Sequence, residues 1–290
     1  MIIARLIGGL GNQMFQYACA RRLAHALHAP LKLDLSAFEQ YGLRRYSLSG
    51  LSISAEIAMA EEVVAFRRRA RIGSRLPRQV LSVIPGLRYK IFRERSFEFD
   101  SEVLQLRGNI LLEGYWQSER YFSDIADVIR RDFKVKVAPE QSDAPLVARI
   151  GSTNAVSIHV RRGDYVSNPE TQGVYGTCGL DYYQRAAAEI ARIEPNPHFF
   201  VFSDDPAWVK ANMNLGFPMV VVEGGGAERQ CEDLRLMSLC QHNIIANSSF
   251  GWWGAWLNAN PNKRVIAPQN WFNPGVHDAR DLLPTDWLRI

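Results

Sequence analysis

The chain has 290 residues, 47% of them hydrophobic and 22% charged, with a net charge of +4. That length supports one large domain or two ordinary ones, and the composition excludes a disordered chain. No apolar run reaches the ~20 residues a membrane helix needs, and the four cysteines form no C-x-x-C pair, which leaves no disulfide framework or zinc site and suits reduced packing residues of a cytosolic protein.

Ile2 to Ile7 reads as a first strand, "GGLGN" as a glycine loop and "QMFQYACARRLAHAL" as a helix. "PLKLDLS" supplies a second strand, so the chain opens as a Rossmann-like unit with no room for a signal peptide before it. The glycine loop lets a ligand approach the backbone, but it fails as a dinucleotide fingerprint. With Gly9 and Gly11 as the first two glycines, the third position holds Met14. Asp34, at the end of strand two, suits a ribose and keeps a nicotinamide reading open as a minor one. No Gly-Lys-Ser/Thr follows, which excludes a Walker loop.

Helical patches run from Ser54 to Ala70. From Arg67 to Arg95 stand nine arginines, one lysine and a single acid, so the basic character is local and the rest of the chain is slightly acidic. With Val80, Leu81, Val83, Ile84, Leu87, Ile91 and Phe92, this segment suits docking at an anionic membrane surface. A solvated basic face on a structural helix explains the same residues equally well. "NILLEGYWQS" reads as a strand entering an aromatic loop, and "RYFSDIADVIRRDF" as a helix. "KVAPEQSDAP" has the composition of a linker, and the domain boundary is expected at 148/149.

Strands "AVSIHV", "HFFVFS", "PMVVVE", "NIIAN" and "RVIAP" then alternate with helices, as a parallel sheet requires. Ligands sit outside the carboxyl ends of such strands. One rim therefore collects Arg161, Arg162 and Asp164, then Asp204 and Asp205, the glycines Gly224–Gly226, Asn247, Ser248, Ser249 and Phe250, and finally Gln269, Asn270 and Trp271. Guanidinium forks match phosphate oxygens, and the amides of a helix start make a second anion seat, so the rim suits a pyrophosphate. Each residue also has a plainer reading. Ser248, Ser249, Asp204 and Asp205 suit helix N-caps. His159 suits a hydrogen-bonded core residue, and Trp252, Trp253 and Trp256 suit packing on the sheet. Side chains alternate along a strand, so His159 and Arg161 should share a face while Arg162 points away, toward Asp164 or another acid. No Asp-x-Asp pair occurs, which favours neutralising phosphates by arginine over a metal.

"HVRRGDYV", "FSDD" and "NSSFGWWGAWL", after "GGLGNQMFQYA" and "EGYWQSERYF", resemble the bacterial α-1,2-fucosyltransferases of glycosyltransferase family 11. The resemblance implies an α/β fold of the GT-B type, with two Rossmann-like domains facing a cleft. Residues 1–148 would form the acceptor side, with the glycine loop at the cleft. Residues 149–290 would form the donor domain, with a last helix packing back on the first. It implies GDP-β-L-fucose as donor and a galactose-terminated oligosaccharide, lipid-linked in O-antigen synthesis, as acceptor. No cofactor, metal or nucleic acid enters, and the enzyme would be cytoplasmic or peripheral at the inner membrane. By the family's motif Arg161 binds the donor phosphates, His159 lies near the nucleotide, and Asn247, Ser248, Ser249 and Phe250 form the serine-rich loop. Gly9, Gly11, Asn12, Gln13, Asp204 and His242, the last toward guanine, complete the donor set. Tyr115, Trp116 and Gln117 face the acceptor. Asp164 is a catalytic candidate as general base, against its reading as a brace for an arginine. Rival readings are a fucosyltransferase of other linkage and a nucleotide-sugar-binding module without turnover.

Overall fold

Short apolar runs that end in a charge build the first sheet. In the computed structural model, which describes residues 1–39, 44–73, 88–136, 143–223 and 229–290, these are β1 (Ile2–Arg5), β2 (Leu31–Asp34), β3 (Glu56–Ile57), β4 (Tyr89–Arg93) and β5 (Asn109–Glu113). All pair in parallel, in the order β3-β2-β1-β5-β4. Ile2, Ile3, Ile110 and Leu111 are fully buried, as strands covered on both faces must be. The helix after β1 spans Leu10–Ala26 and so starts at Leu10, not at Gln13. The other face of the sheet carries the helix Ala60–Gly73, whose Val63, Phe66 and Ala70 pack on Ile3 and Leu111.

The described part of the basic segment contains β4, and four of its cations meet acids from elsewhere in the chain, while Arg68, Arg69 and Arg71 are exposed. Arg67 and Arg93 reach Glu113 at 2.7 and 2.6 Å, Lys90 reaches Glu102 at 3.1 Å, and Arg95 reaches Asp100 at 2.6 Å. Phe92 is buried in the core. Val80, Leu81, Val83, Ile84 and Leu87 lie outside the described residues, as does the Gly224–Gly226 run. No helix among the described residues is long and apolar enough to cross a membrane.

The chain divides after Lys134 into the units Met1–Lys134 and Val135–Ile290. The expected boundary at 148/149 falls inside the helix Ala144–Gly151, whose Ile150 is buried with Phe200, Leu236 and Met237 of the second unit. That burial assigns the helix to the second unit.

The second sheet comprises β6 (Asn154–Val160), β7 (Pro197–Ser203), β8 (Met219–Val221), β9 (His242–Ile244), β10 (Val265–Ala267) and β11 (Leu288–Arg289). All are parallel, in the order β11-β10-β9-β6-β7-β8. This is the doubly wound order of dinucleotide-binding sheets, and its strand order reverses between β6 and β9. Alternate residues of β6 and β7 bury opposite faces. Val156, Ile158, Phe199 and Val201 pack on Tyr183, Ala186 and Ile190 of the helix Leu180–Ala191, while Ala155, Phe200 and Phe202 pack on the helix Gln230–Leu239. No helix follows Leu257 among the described residues. The expected last helix is instead β11, whose neighbour Ile290 donates to Ala267 O at 3.1 Å and accepts from Gln269 N at 2.9 Å.

Candidate active site

The reversal between β6 and β9 sets two chain-distant loops side by side. Ala246 N donates to His159 O at 3.1 Å, so the residues after β9 continue along the end of β6. Arg161 follows β6 at this point. Its guanidinium lies between Asp164, which it meets in a short ion pair, and Asp204, at 2.9 Å. Its Cζ stands 5.5 Å from the centre of the Tyr165 ring. Burial works against the arginine's charge, but the two carboxylates outweigh it and raise its pKa. Arg162 faces elsewhere. Its Nε contacts Asp205 at 3.2 Å and its guanidinium stacks over Trp208 at 3.8 Å, while its backbone N–H donates to Asp204 Oδ1. The two arginines diverge as strand alternation predicts: Arg162 pairs with another acid, Asp205, and Asp164 braces Arg161. Asp205 also caps the helix Pro206–Asn212 by accepting from Trp208 N.

Beyond β9, Ser248 is the N-cap of the helix Ser249–Leu257, its hydroxyl accepting from Phe250 N at 3.4 Å. Ser249 opens that helix, and Phe250 sits 5.4 Å from the His159 ring. His159 is buried beneath Gly251: a Cβ there would lie 2.7 Å from His159 Nδ1. Nδ1 has no hydrogen-bond partner among the described residues, and burial lowers the imidazole pKa to about 4, so the ring is neutral at pH 7.

The first sheet reverses its strand order between β1 and β5, and there too it joins two loops. Gly8 adopts φ +77°, and Gly9 caps the helix Leu10–Ala26. Among the described residues, a side chain at Gly9 would meet only Arg44, at 4.0 Å, so these residues leave the backbone approachable. Gly11 and Asn12 belong to the first turn. Asn12 Oδ1 accepts from Gln117 Nε2 at 2.9 Å, tying the glycine loop to the loop after β5. Tyr115 stacks on Phe97 with ring centres 5.8 Å apart.

Four of the expected site residues make contacts within the protein. Gln13 is fully buried: it donates to Gly8 O and Arg45 O and accepts from Ser47 N, each at 2.9 Å. Asn247 donates to Tyr175 O at 2.9 Å and Trp271 O at 3.1 Å, knotting the rim together. Trp116 is a core residue against Phe92 and Tyr121. His242 lies at the amino end of β9, opposite Val156 and thus at the far end of the sheet from Arg161. Its Nδ1 accepts from Arg264 N and its Nε2 contacts Glu194, so it does not reach the rim.

Two further residues matter here. Tyr165 donates to Asn247 O at 2.9 Å beneath Arg161; it stands in the quoted "RRGDYV", where its aromatic type was the available signal. Glu94 accepts from Tyr115 N at 2.6 Å and Trp116 N at 2.8 Å, and nothing local in the sequence marks it.

A fold of two parallel sheets, with a guanidinium and a helix start at one reversal point, invites comparison with nucleotide-sugar enzymes. The family model described as Glycosyl transferase family 11 matches residues 1–290. An α-1,2-colitosyltransferase of Escherichia coli is 35% identical over 300 residues, covering 100% of this chain and 99% of that protein. The O-antigen biosynthesis glycosyltransferase WbnK of Escherichia coli is 33% identical, covering 98% and 99%. A mutant of Arabidopsis thaliana FUT1 solved in complex with GDP superposes with a TM-score of 0.54 at 12% identity, covering 99% of this chain and 75% of that one, which shows the shared GT-B fold. The chain belongs to glycosyltransferase family 11.

Proposed function

We propose that the enzyme transfers L-fucose from GDP-β-L-fucose to the 2-hydroxyl of a terminal galactose in a bacterial surface polysaccharide, with inversion at the anomeric carbon. The observation that carries this reading is Arg161 beside the start of the helix Ser249–Leu257 at the β6/β9 reversal. The galactose 2-hydroxyl oxygen attacks C1 of fucose opposite the diphosphate, the C1–O bond to GDP breaks with its electron pair remaining on GDP, and the hydroxyl proton passes to solvent. The Arg161 fork and the helix-start amides after Ser248 meet that developing charge, each donor of this kind being worth about 3 kcal/mol. Asp164 and Asp204 hold the guanidinium plane in place, so Asp164 is assigned to bracing Arg161 and not to taking the acceptor proton. His159, neutral and buried, forms the floor beneath Gly251 and Phe250. Gly9 gives an approachable backbone in the first unit, and Tyr115 faces the acceptor from a loop that buried Gln117 ties to Asn12.

A colitosyl donor is the second reading, favoured by the full-length similarity to the colitosyltransferase. Colitose is fucose without the 3-hydroxyl, so a site that hydrogen-bonds this hydroxyl discriminates strongly between the donors. Parallel assays with GDP-fucose and GDP-colitose on galactosides decide the matter. Transfer from GDP-fucose at least tenfold faster supports the first reading, and the reverse ratio overturns it.

A further inference from the structure

We infer that Glu94 is a positioning residue for the acceptor side, its carboxylate setting the loop that presents Tyr115 and ties Gln117 to the glycine loop; this rests on the transferase reading above. Glu94 directly follows β4 at the edge of the first sheet, and the loop it grips follows the adjacent β5. One oxygen accepts from Tyr115 N at 2.6 Å and the other from Trp116 N at 2.8 Å. Two successive main-chain N–H groups thus wrap one carboxylate, the same nest that backbone makes around an anion.

The rest of the loop is shaped to this grip. Trp116 holds φ +57°, a conformation costly for a bulky residue unless its surroundings impose it. Its indole is buried, so the ring fixes the loop from below while the carboxylate fixes it from the side. Gly114 leaves room for the carboxylate: a Cβ there would lie 2.4 Å from Glu94 Cβ and 2.9 Å from Glu94 Oε2. Ser118 N donates to Trp116 O at 2.8 Å and closes the turn, and Gln117 then reaches Asn12 at 2.9 Å. Through this chain of contacts Glu94 fixes where the β5 loop meets the glycine loop. Burial raises the Glu94 carboxyl pKa while the two amides lower it, so the amides are what favour the charged, doubly accepting form.

Glu94→Gln replaces one acceptor oxygen with an NH2 that faces an N–H donor. Gly114→Ala, at a position without positive φ, crowds the carboxylate and also the Trp116 indole, 2.9 Å from the added Cβ, without removing either. In steady-state assays the acceptor KM should rise about tenfold or more in both variants. The GDP-fucose KM and the kcat at saturating acceptor should stay within about twofold. Amide exchange should show Tyr115 and Trp116 losing protection in both variants while Ile3 and Leu111 keep theirs. If Glu94→Gln does not fold, Gly114→Ala carries the test. Unchanged acceptor KM, or parallel loss for donor and acceptor, overturns the inference. If the wild-type enzyme transfers no fucose, the functional reading fails, and the exchange result alone then upholds or overturns the grip of Glu94 on the loop.

Discussion

Arg161 and Arg162 are neighbours with different surroundings, and the surroundings assign their work. Arg161→Lys keeps the charge but loses the planar fork that two carboxylates hold in place. Turnover should fall at least ~100-fold with the melting temperature little changed. Arg162→Lys loses its stack on Trp208 and its contact to Asp205, and should lower the melting temperature more than the rate. The opposite pattern in kinetics and melts means the roles are reversed. His159 yields a pH prediction. Its folded pKa, about 4, lies below the unfolded value of ~6.5, so as pH falls the unfolded chain takes the proton first. The ring's contribution to stability is full above pH 6.5 and is lost between pH 6.5 and 4, at up to about 1.4 kcal/mol per unit. His159→Gln should flatten that part of a melting-temperature profile, and an unflattened profile contradicts the assignment. The divergence of the arginines was legible from strand alternation. Asp164 as a brace for an arginine was legible too, while the pairings with Asp204 and Asp205 were not, because those acids arrive from β7. The bracing roles of Gln13 and Asn247 were hidden for the same reason, since their hydrogen bonds go to main-chain groups far along the chain.

At the scale of elements, apolar runs named the long strands, while charge hid a shorter one. β4 lies in the basic segment, and its Lys90 and Arg93 are tolerated because Glu102 and Glu113 meet them. β3 and β11 have two residues each, too few for any periodicity to appear. The helix Gln230–Leu239 is anchored by Arg229, which meets the buried Asp143 next to the helix Ala144–Gly151. Arg229 also lies 3.5 Å from Asp233, whose carboxyl is pushed up to about 7 by burial. Arg229→Ala leaves Asp143 buried without its cation, which costs about 3–5 kcal/mol. Urea unfolding should show that loss, and a loss below about 1 kcal/mol contradicts the anchor.

At the scale of the molecule, alternating strands and helices announced two Rossmann-like units, and the strand orders show where each sheet reverses. Strand order was not legible, since it is set by how helices cross the sheets. It nevertheless explains why Arg161 and Ser248, far apart in the chain, belong to one rim. If the arginine and the helix start do the work of a metal on the diphosphate, transfer should persist in excess EDTA. Complete loss, restored by Mg²⁺ or Mn²⁺, contradicts this. The central claim is the transfer itself, and the structure of the product tests it most directly. NMR of the oligosaccharide formed from GDP-β-L-fucose and a β-galactoside should show an α-anomeric fucose with its through-bond correlation to galactose C2. A β-linked fucose, attachment at another carbon, or free fucose as the sole product contradicts the account.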